Sequence, residues 1–99
     1  MSEIVELGII SSQSGAKLGE CEFVDGIAHG MCRIWNEAGV PTLEATMLHG
    51  HYYGLYSSFW ANGAIKERGE YILGKKVGLY RWVYESGLLM QEHDYGHAT

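Results

Sequence analysis

The stretch GLYSSFWANGAIKERGEYILG, residues 54–74, decides the fold. It opens on a glycine and runs through an aromatic-rich segment to Asn62-Gly63. It continues as an alternating segment and closes at Leu73-Gly74. Asn-Gly between two strand-forming runs is a strong hairpin signal, because both residues tolerate positive φ. The same layout returns at 78–96 as GLYRWVYESGLLMQEHDYG and more loosely at 30–50 as GMCRIWNEAGVPTLEATMLHG. A degenerate version, LGIISSQSGAKLGECEFVDG, occupies 7–26.

The period is 24 residues. Gly26, Gly50 and Gly74 form one row, Gly30, Gly54 and Gly78 a second, and Gly15, Gly39, Gly63 and Gly87 a third. Apolar rows share the spacing: Leu7, Met31, Leu55, Leu79, and Phe23, Met47, Tyr71, Tyr95. A fixed period of this length marks a repeat architecture in which each unit packs on its neighbours. The expected fold is all-β: an antiparallel meander of four hairpin repeats in a single twisted, elongated sheet of seven or eight strands. Residues 1–99 then form one domain, with a degenerate hairpin at 3–25, hairpins at 26–49, 50–73 and 74–96, and a short tail at 97–99. The three residues between paired glycines, as in GHYYG and GKKVG, read as links between hairpins. On the ladder, Gly54 and Gly78 are expected to resist substitution more than Gly8 or Gly19.

The second strand of each hairpin alternates with period two, the mark of a half-buried strand. One face carries Cys21, Phe23, Leu43, Ala45, Met47, Ile65, Tyr71, Leu89 and Tyr95. The other carries Glu20, Glu22, Glu44, Arg68, Glu70, Glu92 and Asp94. The first strands are partly apolar on both faces. Tyr56, Ser58, Trp60 and Tyr80, Trp82, Tyr84 lie on one, and Met31, Arg33, Trp35, Leu55, Phe59, Leu79 and Val83 on the other. A single layer cannot bury both by itself. The surplus rings either brace a curled sheet or meet a partner.

Charge narrows the function. The 99 residues carry twelve acids and seven bases, a formal net charge of −5. That balance speaks against nucleic-acid binding and against docking on anionic lipid. The net negative charge lies wholly in residues 1–48, since residues 49–99 hold five acids and five bases, and it suits a basic protein partner or a solvated surface. No signal-like segment or apolar run of membrane-spanning length is present, which implies a cytoplasmic protein. Two cysteines make no framework, so Cys21 and Cys32 are expected as free thiols, although some hairpin registers would bring them together.

Nothing in the residues points to catalysis, a cofactor or a metal. His29, His49, His51, His93 and His97 do not follow the period, and His49-Gly50-His51 reads as a solvated turn. No nucleophile elbow or phosphate loop occurs, and carboxylates such as Glu20 and Glu22 lack an enclosing cleft.

The framework G-x3-G-x-aromatic…N-G-x(9–10)-G resembles MORN repeats, and most of all the variant found in bacterial antitoxin and immunity proteins. The resemblance covers roughly residues 7–96 and rests on structural positions. The first copy lacks the leading glycines, and in the second Cys32 replaces the usual aromatic and Pro41 enters a strand. The resemblance implies a non-catalytic role, commonly in a toxin–antitoxin or toxin–immunity pair. The expectation is a protein-binding inhibitor that blocks a cognate protein's active surface, or a related mobile-element inhibitor of a host defence protein. Tyr56, Trp60, Tyr80, Trp82 and Tyr84 are the expected aromatic anchors. Glu20, Glu22, Glu44 and Glu70 would complement a basic face. A self-associating scaffold, dimerising through an open sheet edge, is the alternative, with a membrane-associated adaptor behind it.

Overall fold

The computed structural model describes residues 4–97. They form eight strands and, among the described residues, no helix. The strands are β1 (Val5–Ser11), β2 (Lys17–Val24), β3 (Ile27–Trp35), β4 (Pro41–Leu48), β5 (His51–Phe59), β6 (Ile65–Ile72), β7 (Lys75–Val83) and β8 (Leu89–Asp94). Each pairs antiparallel with the next in chain order, giving one open meander sheet. The molecule measures 41 × 41 × 15 Å, a twisted plate one layer thick.

Two kinds of turn alternate. Asp25-Gly26, His49-Gly50 and Leu73-Gly74 each place two successive residues at positive φ. That is the two-residue hairpin turn whose twist matches the flanking strands. Asp25 suits the left-handed conformation, whereas Leu73, at φ 48°, is forced into it. The other turns are three residues long. Gly15, Gly39, Gly63 and Gly87 sit at positive φ and donate back to Ser12, Asn36, Trp60 and Tyr84. Asn36 Oδ1 further accepts from the N–H groups of Ala38 and Val40, both at 3.0 Å.

The residues between the paired glycines are not links. Ile27–His29, His51–Tyr53 and Lys75–Val77 open β3, β5 and β7. The second glycine of each pair marks a bulge instead. Register shifts between Cys21 and Phe23, Ala45 and Met47, and Arg68 and Glu70 leave extra residues on the facing strand around Gly30, Gly54 and Gly78. All three glycines have positive φ. Bulges of this kind bend and twist the sheet, which lets a single layer curl over its own rings.

Register defines one face as the core. A row crosses it: Gly8, Cys21, Cys32, Ala45, Tyr56 and Gly69 pair in turn, the Tyr80 ring lies over Gly69 across the β6–β7 bulge, and Tyr80 pairs with His93. Tyr80 is fully buried and Ala45 is 2% exposed. A Cβ at Gly69 would overlap the Tyr80 ring, so the glycine is the seat on which that ring lies. Tyr56 faces Ala45 in the same way one repeat earlier. Gly54 and Gly78, by contrast, have open space around them, and their constraint is backbone conformation alone. Gly8 is more restricted than the ladder implied, because Phe23 Cε2 would lie 2.5 Å from its Cβ.

The same row corrects the expectation of free thiols. Cys21 and Cys32 face each other across β2 and β3 with Cα atoms 4.1 Å apart, and their sulfurs are joined as a disulfide. The cause is register: Cys32 stands where Tyr56 and Tyr80 stand, and Cys21 where Ala45 and Gly69 stand. A ring over a small residue is replaced by a covalent cross-strand link.

Candidate aromatic interface

The core face holds a chain of touching rings. Tyr52, Tyr56 and Tyr71 have mutual centroid distances of 5.1–5.4 Å. Tyr80 meets Tyr71 at 6.0 Å, Trp82 at 4.9 Å and Tyr95 at 6.1 Å, mostly edge to face. Such contacts stabilise beyond simple burial. Lys76 Nζ lies 4.7 Å from the centre of the Tyr80 ring and 5.4 Å from that of Trp82, a cation–π roof over the cluster. Tyr80 donates its hydroxyl to Glu67 Oε1 at 2.9 Å.

These surroundings shift the phenols. Burial, followed by the Glu67 charge, pushes the Tyr56 hydroxyl up to about 12. Burial, then hydrogen bonds with Tyr71 and Glu67, pushes Tyr80 above the usual phenol range. Both therefore stay neutral at physiological pH.

The expected site residues divide sharply. Tyr80 is wholly inside the fold and presents no surface. Tyr56 is half-buried among its ring neighbours. Trp60 and Trp82 are also half-buried but retain open surface, and Tyr84 is 50% exposed. Trp60 Nε1–H donates to Val83 O at 3.0 Å, which ties the end of β5 to the end of β7. Asn62 repeats that tie by donating to Glu85 O at 3.3 Å. Lys66 Nζ sits 4.7 Å from the Trp60 ring centre. The half-open aromatics thus gather where β5 and β7 run into their three-residue turns.

The acidic set lies on the opposite face. Glu20, Glu22, Glu44 and Glu70 occupy rows alternate to the core row. One such row runs Ile9, Glu20, Arg33, Glu44, Ser57, Arg68, Arg81, Glu92. Several of these charges are already answered. Lys17 pairs with Glu20 at 2.5 Å, Arg33 approaches Glu44 at 3.8 Å, and Arg81 pairs with Glu92 at 2.8 Å. Glu22 Oε1 accepts from the Met31 N–H at 2.8 Å. One flat partner surface cannot meet the aromatic and acidic sets together.

Register also joins residues that sequence spacing left apart. Arg68 and Arg81 are directly opposed, and with Ile65, Val83 and Gly87 they line an open groove of about 380 Å³. His29 and His49 approach to 5.2 Å between ring centres beside Asp25. Among the described residues no group of three or more metal-ligating side chains comes together. No helix there is long and apolar enough to cross a membrane. Comparison with protein-family models, with curated proteins and with solved structures finds no match.

Proposed function

We propose that the chain is a non-catalytic, protein-binding inhibitor of the antitoxin or immunity type, or a mobile-element inhibitor of a host defence protein. The observation that carries this reading is the half-open aromatic group Trp60, Trp82 and Tyr84 on a one-layer sheet. Aromatic side chains dominate interface energetics because each buries a large area at little conformational cost. The MORN-type framework agrees with such a role.

The contact set proposed from sequence narrows accordingly. Trp60, Trp82 and Tyr84 are the anchors, with Tyr56 and Tyr80 bracing them from within. Glu20, Glu22, Glu44 and Glu70 act from the other face, through long-range attraction of a basic partner. The proposed compartment is the cytoplasm. A Cys21–Cys32 disulfide found after alkylating thiols inside intact cells would move it to an oxidising compartment.

The test is stoichiometric inhibition. The product of a neighbouring toxin-like gene is purified and its activity titrated with this protein. Loss of activity at one equivalent supports the reading. Undiminished activity across the neighbouring candidates contradicts it.

A further inference from the structure

Among the described residues β1 is one edge of the sheet, bonded to β2 alone. Ile4 and the strand residues Val5, Leu7, Ile9 and Ile10 are each between 54% and 76% exposed. An exposed apolar edge of this kind is a template for another strand.

The spare backbone groups can be read from the cysteines. The 4.1 Å separation of Cys21 and Cys32 is the spacing of a non-hydrogen-bonded pair. The N–H and C=O of Cys21 therefore turn towards Gly8 of β1. Alternation along β1 then aims the N–H and C=O groups of Val5, Leu7 and Ile9 away from the sheet.

We propose that this edge pairs with β1 of a second copy, antiparallel about a twofold axis at Leu7. In that register Leu7 faces the second copy's Leu7, Val5 faces Ile9, and Ile4 faces Ile10. Every outward N–H and C=O of Val5, Leu7 and Ile9 finds its mate. Glu6, the one charged residue of β1, falls opposite Gly8, which has no side chain to crowd it. Shifting the twofold to Gly8 would keep a ladder, with Leu7 bonded to the second copy's Ile9, but would set Glu6 against Ile10 and leave Gly8 against Gly8 at the centre, with no side chains to pack.

The far edge ends the assembly at two copies. The Tyr95 N–H bonds inward to Gly78 O at 2.9 Å, so Glu92 and Asp94 direct their backbone groups outward. Pairing β8 with itself about Glu92 would oppose like charges. Pairing it with β1 would set Glu92 and Asp94 against Leu7 and Ile9. The interface is short beside the roughly 20–30 residues a side of a standard one. The dimer is therefore weak, with a dissociation constant on the order of 10 µM. It leaves β5–β8 free, so it stands apart from the inhibitor reading.

Sedimentation velocity across low to high micromolar concentration tests this on the full chain. The wild type should pass from monomer to dimer and no further. Leu7→Lys, which opposes two ammonium groups at the twofold, should raise the dissociation constant at least about tenfold. Leu79→Lys, at the matching exposed position on β7, should leave it unchanged. Hydrogen exchange of the Val5, Leu7 and Ile9 amides provides a readout without mutation: protection should rise with concentration. A wild type that stays monomeric, dimerisation that survives Leu7→Lys in folded protein, larger oligomers, or concentration-independent exchange would each overturn the proposal.

Discussion

Gly69→Ala should be one of the most damaging single-methyl changes in this chain. The added Cβ would overlap Cδ2, Cε2 and Cγ of Tyr80. That ring cannot swing aside, being fully buried, boxed by Tyr71, Trp82 and Tyr95, and tethered through its hydroxyl to Glu67. Overpacking a filled site costs about 1–3 kcal/mol, and the immobile ring places this case in the upper half of that range. For a domain of this size the melting temperature should fall by roughly 10–20 °C. Urea unfolding of wild type, Gly69→Ala, Tyr80→Leu and the double variant isolates the cause. With the ring gone the methyl has room, so the cost of Gly69→Ala should shrink to about 0.5 kcal/mol or less, leaving a coupling of about 1.5–2.5 kcal/mol. Gly54→Ala is the control. Its strain comes from φ +88° with open space around it, so its cost of about 1 kcal/mol should persist beside Tyr80→Leu. Strict additivity of Gly69→Ala and Tyr80→Leu would refute the packing argument.

Three further outcomes follow from the same structure. Leu73→Asn should stabilise by about 0.5–1 kcal/mol in a thermal melt, because asparagine accepts the left-handed conformation that leucine is held in; a loss of stability would count against the turn assignment. Alkali should unfold the protein. The folded-state pKa of Tyr56 lies above its unfolded value of 10.0, so its contribution is complete below pH 10 and is lost as pH rises through about 12; circular dichroism that is flat from pH 9 to 12.5 would contradict this. Thiol titration of protein unfolded without reductant should find neither Cys21 nor Cys32 reactive. Reduction should then destabilise by about 3 kcal/mol on a chain-entropy basis, and two reactive thiols in the unreduced sample would refute the cross-link.

Strand parity and the sequential antiparallel pairing were legible in the chain, and the register was not. The glycine ladder located the turns because a two-residue turn needs positive φ at both centres, and Asp25-Gly26 and Leu73-Gly74 supply it. Alternation within β2, β4 and β6 separated acids from apolar side chains except at Glu67, which shares the face of Ile65 and Tyr71 and accepts from the buried Tyr80 hydroxyl. Whether the tyrosines of β5 and β7 join the apolar or the acidic face depends on turn length and on the bulges at Gly30, Gly54 and Gly78. The bulge glycines do recur every 24 residues, but a row of glycines does not by itself tell a bulge from a turn or a link. For the same reason the opposition of Cys21 to Cys32 stayed open until the register was known. Tyr80 and Tyr84 look alike in sequence, yet one is sealed by Gly69 and three rings and the other projects from the rim. The empty seat at Gly69 was the available signal, since a glycine in mid-strand marks close approach of another group.

The central functional claim is that a protein partner is held by the aromatic end of β5 and β7. Tyr84 gives the cleanest probe, being 50% exposed, with no ring contact or side-chain hydrogen bond to the core among the described residues. The affinity of Tyr84→Ala for the purified partner, measured by calorimetry together with its thermal stability, tests the claim directly. Loss of a central anchor commonly costs about 2 kcal/mol, so affinity should drop roughly thirtyfold while the melting temperature stays within a few degrees of wild type. Reversing Glu20, Glu22 and Glu44 together should instead slow association, an effect that fades at high salt. Wild-type affinity in a fully folded Tyr84→Ala, with the triple reversal abolishing binding at all salt concentrations, would place the interface on the acidic face and contradict the account.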